Sequence, residues 1–228
     1  MEEPQQPEPP EPASPSDEPE PPDPRTTVVL LAVVVEGGLI VLAWLIGWLT
    51  GTLPLATFFW SLSDVGLGVA ATVPMLVLFF AALRWPVGPL GKIKKFMDEL
   101  ICPLLAPCTL LDLAGIAVLA GFGEEMLFRG VFQASLANWT GRPWLALALA
   151  SILFGAAHAI TLTYAVFATA MGAWLGWLWL WSENLLPAIV AHALYDFIAL
   201  VVLLRGRTGI SRLSPELEET EEKVSPDR

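Results

Sequence analysis

The stretch Gly121-Phe-Gly-Glu-Glu-Met-Leu-Phe-Arg-Gly-Val-Phe-Gln133 places three charges, Glu124, Glu125 and Arg129, inside an apolar region. Ile116-Ala-Val-Leu-Ala120 precedes them and Val131-Phe132 follows. On insertion scales, a charged residue at the centre of a membrane helix costs about 2.5–3.5 kcal/mol. Three such residues need partners or a task. Glu125 and Arg129 are four apart, so a helix puts them on one face, with the acid on the favourable N-terminal side. That pairing reads as a structural ion pair in a polar bundle interior. Glu124 projects about 100° away from Glu125 and is free to face something else.

Composition sets this stretch in a membrane. The 228 residues are 55% hydrophobic by count and only 15% charged, against roughly 25% charged in soluble domains. The mean hydropathy is +0.62. Many of the ten Trp lie near the ends of apolar runs, as in an interfacial aromatic belt. The expected fold is all-α: a polytopic transmembrane helical bundle of about six spans with disordered acidic termini. The net charge of −11 resides in the tails and says little about partners. No nucleic-acid surface is expected. Cys102 and Cys108 lack metal-type spacing and read as apolar filler. The acidic start is unlike a cleavable signal peptide.

The chain divides into four parts. Residues 1–25 form a Pro/Glu-rich tail, which cannot bury a core and is expected to be disordered. Residues 26–100 hold an N-terminal helix pair, about Val28 to Trp48 and Phe58 to Leu83, followed by a basic loop with Arg84, Lys92, Lys94 and Lys95. Glu36 in the first of these spans is tolerable if it faces the bundle, and no chemistry is assigned to it. Residues 101–206 are the functional core. Pro103 and Pro107 break its entrance. Thr109 to Asn138 reads as one long helix, bent or opened near Gly121 and Gly123. Trp144 to Ile160, Tyr164 to Trp181 and Leu185 to Leu204 are three more spans, each near the ~20 residues that cross a bilayer. Residues 207–228 are a charged, mobile tail. Arg205, Arg207 and Arg212 and the earlier basic loop both fall on the cytoplasmic side when there are six spans and both termini are inside. Splitting Thr109–Asn138 gives seven spans and moves one cluster outside.

Both histidines of the chain, His158 and His192, fall in apolar spans. His192 and Asp196 share a helix face, and Phe154 is placed to pack beside the His158 imidazole and dry it. Amide hydrolysis needs a nucleophile, a proton carrier and a group that holds the oxyanion. A carboxylate and a neutral imidazole can share a water and take its proton, which suits Glu124 with His158. A second imidazole with a hydrogen-bonding neighbour suits the oxyanion, which fits His192 with Asp196. The same groups also suit a proton relay in a transporter, and a catalytically silent immunity or scaffold protein is a third reading. His and Glu suit Zn²⁺ too, but no three-ligand catalytic set is plainly written. A metal, if held, would sit on Glu124, His158 and His192.

Glu124-Glu-Met-Leu-Phe-Arg129 fits EExxxR, Phe154-Gly-Ala-Ala-His158 fits FxxxH, and His192-Ala-Leu-Tyr-Asp196 fits HxxxN/D. In this order, over about Thr109 to Leu204, the chain resembles the CPBP family of intramembrane proteases. That family includes the type II CAAX prenyl proteases and the bacterial Abi proteins. The resemblance implies a multi-pass endopeptidase, in the plasma membrane of a microbe, whose site opens toward the cytoplasm. Its substrate would be a peptide or protein, such as a prenylated C-terminus. Glu124 and His158 would activate water, Glu125 and Arg129 would shape the site, and His192 with Asp196 would form the oxyanion pocket. The family often has Asn where this chain has Asp196. A carboxylate donates a hydrogen bond only when protonated, so Asp196 has orienting His192 as an alternative role. Family members have been called metalloproteases, yet the motifs equally suit a metal-free glutamate mechanism. Other membrane proteases fit less well. The chain has no HExxH, no Gly-x-Gly-Asp partner for Tyr195-Asp196, and no Gly-x-Ser-x motif. Oligomeric state is not legible.

Overall fold

The computed structural model describes residues 23–224, with side chains as far as Gly206. Of the tail expected over residues 1–25, residues 1–22 lie outside the described residues, and Pro24 and Arg25 already belong to α1. The described chain is helical throughout. α1 spans Pro24–Thr50, α2 Leu62–Arg84, α3 Pro89–Phe96, α4 Cys102–Leu105, α5 Leu110–Glu125, α6 Ala134–Thr140, α7 Pro143–Ala157, α8 Leu162–Ser182 and α9 Leu186–Val224. Two π-helical stretches, Met97–Ile101 and Met126–Gln133, join α3 to α4 and α5 to α6.

Four helices are long and apolar enough to cross a bilayer: α1, α2, α8 and α9 over Leu186–Gly206. Among the described residues, Pro89–Leu105 and Leu110–Thr140 qualify only as a pair, bent by 115° at the break between them, and bring the count to five at most; α7 is apolar but shorter than a full span. α9 packs between α5 and α2, α7 lies on α8, and α1 lies on α5. Contacts between loops and helix ends fix which ends share a side. Arg25 Nε and Nη2 donate to the two Asp112 oxygens at 2.7 and 2.9 Å, so α1 and α5 start together. Asp112 also closes a capping box with Thr109 at the head of α5. On the opposite side, fully buried Asn184 ties the α8–α9 turn to the entrance of α2. It exchanges hydrogen bonds with Phe59 N and O and donates to Asp64 Oδ2 at 2.8 Å.

The outer faces fit lipid. Leu30, Val34, Val41, Leu45 and Leu49 of α1 are all exposed. Six exposed Trp residues, 48, 60, 85, 139, 144 and 181, stand at or beside helix ends. Amphipathic indole favours the membrane–water boundary.

Three expectations need correction. The basic stretch after α2 is not a loop but a helix. Leu90, Ile93, Met97 and Ile101 recur at helical spacing and line one cavity, with the lysines between them. Lys94 and Lys95 pair with Asp98 and Glu99 one turn on, at 2.5 and 3.7 Å. Second, the long helix is not opened at Gly121 or Gly123; its irregular part is Met126–Gln133. The two glycines are contact points instead. A Cβ on Gly121 would lie 2.8 Å from Ala193 N, and one on Gly123 2.9 Å from the Glu36 carbonyl oxygen. Third, α9 continues past Leu204 to Val224, so the stretch expected as a mobile tail begins as helix. Its run of Glu residues forms helix readily once a preceding span has nucleated it.

Candidate active site

α5 and the π-helical stretch carry Glu124, Glu125, Arg129 and Gln133; the end of α7 carries Phe154 and His158; α9 carries His192 and Asp196. The two adjacent glutamates have different surroundings. Glu125 is fully buried, and its Oε1 accepts from Arg129 Nη1 at 2.5 Å and from His192 Nδ1 at 2.7 Å. Arg129, 1% exposed, also donates from Nη2 to the Gly172 carbonyl of α8 at 2.8 Å. One turn on, Gln133 Nε2 donates to the Gly176 carbonyl at 3.1 Å. Side chains from α5 and its continuation thus clamp two carbonyls of α8 four residues apart. A Cβ on Gly176 would lie 2.6 Å from Gln133 Oε1, so the close approach requires glycine there.

Glu124 has no such set of partners. Its Oε2 is buried and accepts no hydrogen bond from the protein. The nearest ionisable group is His158, whose Nε2 stands 3.5 Å from that oxygen. His158 is not inside a span as expected but caps the C-terminus of α7, where its Nδ1 lies 2.8 Å from the Phe154 carbonyl. A carbonyl can only accept, so Nδ1 carries a proton, and in the neutral ring Nε2 presents a lone pair. Two acceptors therefore face one place.

Phe154 organises both imidazoles. It stacks on His158 (ring centroids 4.4 Å apart, planes at 26°) and meets His192 edge-on at 5.9 Å. The Arg129 guanidinium carbon lies 4.7 Å from the centroid of the same ring. Asp196 Oδ2 is 3.5 Å from His192 Nε2. His192 thus has a carboxylate near each nitrogen, and the α9 pair recognised by its spacing is joined by a third partner, Glu125, that spacing did not reveal.

Phe154, His158, His192 and Asp196 line a cavity of about 370 Å³. Its remaining walls are largely apolar side chains of α2, α8 and α9, with α3 across one end. Glu124 is not part of the lining and reaches the cavity through His158. Among the described residues, no three His, Cys, Asp or Glu side chains are grouped to hold a metal ion. The metalloprotease expectation therefore finds no support in the donor arrangement, and no step below is routed through a metal.

Fold and site together define a helical membrane protein with a buried glutamate–histidine cluster. Residues 106–198 match the family model described as Type II CAAX prenyl endopeptidase Rce1-like, the family that the three motifs indicate. A match to that family implies a peptidase. The chain is also 29% identical, over 149 residues, to the uncharacterized protein YpbD of Bacillus subtilis (strain 168), covering 61% of this chain and 70% of that protein. No solved structure matches the chain.

Proposed function

We propose that the protein is an intramembrane endopeptidase that hydrolyses a peptide bond with a water activated by Glu124 and His158, without a metal-bound nucleophile. One observation carries the reading: the partnerless, buried Oε2 of Glu124 faces the free lone pair of His158 across 3.5 Å. A water beside both can give a proton to either. Its oxygen attacks the scissile carbonyl carbon, and the released proton passes to Glu124 or His158. The carbonyl π pair moves onto oxygen. His192 donates to Glu125 from Nδ1, and a proton on Nε2, oriented by Asp196, holds that oxyanion. The C–N bond then breaks as the stored proton transfers to the leaving nitrogen, giving a carboxylic acid and an amine. Glu125 and Arg129 hold His192 and Phe154 in place.

The apolar cavity beside these groups suits a substrate with a large hydrophobic portion, such as a prenylated CAAX-type C-terminus or a membrane-embedded peptide. The basic clusters support a reading in which this side of the bundle, with both termini, faces the cytoplasm of a microbe and the protein sits in its plasma membrane.

The test uses purified protein in lipid vesicles and a quenched fluorescent peptide with a farnesylated CAAX-type end. Cleavage by the wild type should fall roughly 100-fold or more in Glu124→Gln and in His158→Ala. Proton flux that depends on both residues, with no cleavage, would instead identify a relay.

A further inference from the structure

Glu36 stands near the middle of α1, a helix whose outer face is apolar and exposed. It lies outside the 106–198 segment that carries the family match. Its Oε2 is buried and has no protein partner. α1 packs chiefly on α5 and the π-helical stretch that follows. At that crossing the Glu36 carbonyl rests against Gly123, the residue before Glu124. Glu124, Asp196, His192 and His158 all lie within electrostatic reach of Glu36. Glu36 and Glu124 thus each carry a buried, partnerless carboxyl oxygen, on two helices in direct contact at Gly123. An unsatisfied buried carboxyl oxygen is costly, and two near one another are best satisfied by a shared proton donor. A neutral carboxylic acid is such a donor, and a bridging water is another.

We propose that Glu36 is a positioning residue of the hydrolytic site, whose neutral carboxyl group donates a hydrogen bond that fixes the attacking water, or Glu124 itself, from the α1 side. This rests on the peptidase reading above. Glu36 forms and breaks no covalent bond in the reaction; it holds the nucleophile where Glu124 and His158 act on it.

Two side chains of similar size separate donation from packing. Glu36→Gln keeps a hydrogen-bond donor, whereas Glu36→Leu removes it while suiting the membrane. With the farnesylated peptide in vesicles, Glu36→Leu should lose about tenfold or more in kcat with KM little changed, and Glu36→Gln should restore most of the rate. Thermal unfolding should show both variants as stable as the wild type or more so. The proposal is overturned if Glu36→Leu cleaves at the wild-type rate, or if Gln and Leu lower the rate equally. A second measurement needs no substrate. Dicyclohexylcarbodiimide adds to neutral carboxyl groups in apolar surroundings, and mass spectrometry of the treated wild type should find the adduct on Glu36. An unlabelled Glu36 also overturns the assignment. If the wild type cleaves nothing while Glu36 is labelled, the peptidase reading fails and the neutral buried acid stands.

Discussion

Glu124 and Glu125 are neighbours in sequence, yet the regions around them are opposites. Around Glu125, Oε1 takes short bonds from Arg129 and His192 and Arg129 reaches the Gly172 carbonyl, although Oε2 is left without a partner. Around Glu124, the carboxylate oxygen and His158 Nε2 face each other across 3.5 Å without a hydrogen bond. The first region is cross-linked by three short bonds; the second, in the proposed mechanism, is the gap where the water reacts. Short bonds between buried charged groups rigidify, whereas buried oxygens left unbonded cost stability.

Replacement of Arg129 by Leu should have the largest effect. It strands a fully buried carboxylate, which costs roughly 3–5 kcal/mol. Thermal unfolding in detergent should show a large destabilisation, with activity lost alongside. Glu124→Gln should behave in the reverse way: activity disappears, while stability stays within about 1 kcal/mol of the wild type or rises, because an unsatisfied charge is removed. If the two variants were equally destabilised, the contrast between the two regions would be wrong. Asn184→Ala lies far along the chain's other membrane face. It should cost about 1–3 kcal/mol by orphaning Phe59 and Asp64 groups, with kcat nearly unchanged in protein that remains folded. The smallest effect belongs to Arg25→Ala. Its bridge to Asp112 is bidentate, but the Arg side chain is half exposed, so a loss of about 0–1 kcal/mol that shrinks in high salt is expected.

Much of the helical pattern was legible because bilayer length and apolar run length are the same quantity. The Glu125–Arg129 pair was legible for a related reason: both residues belong to one helix, and helical spacing alone brings them together. What spacing within one element cannot reveal is a partner on another. The bond from His192 to Glu125 crosses from α9 to α5, 67 residues apart. The contact of the Glu36 carbonyl with Gly123 depends on how α1 crosses α5. The helix over Pro89–Phe96 was hidden differently. Its three lysines dominate the composition and mask the apolar residues at helical spacing that line the cavity. Gly172 and Gly176, four apart among tryptophans, were a readable sign of close helix contact, although not of the Arg129 and Gln133 side chains that meet them.

α7 is only 15 residues long. At 1.5 Å per residue it is about 22 Å tall, against roughly 30 Å of hydrocarbon. A rod that starts at one headgroup layer therefore stops short of the other, and His158, which caps it, sits at that stopping point rather than at the far boundary.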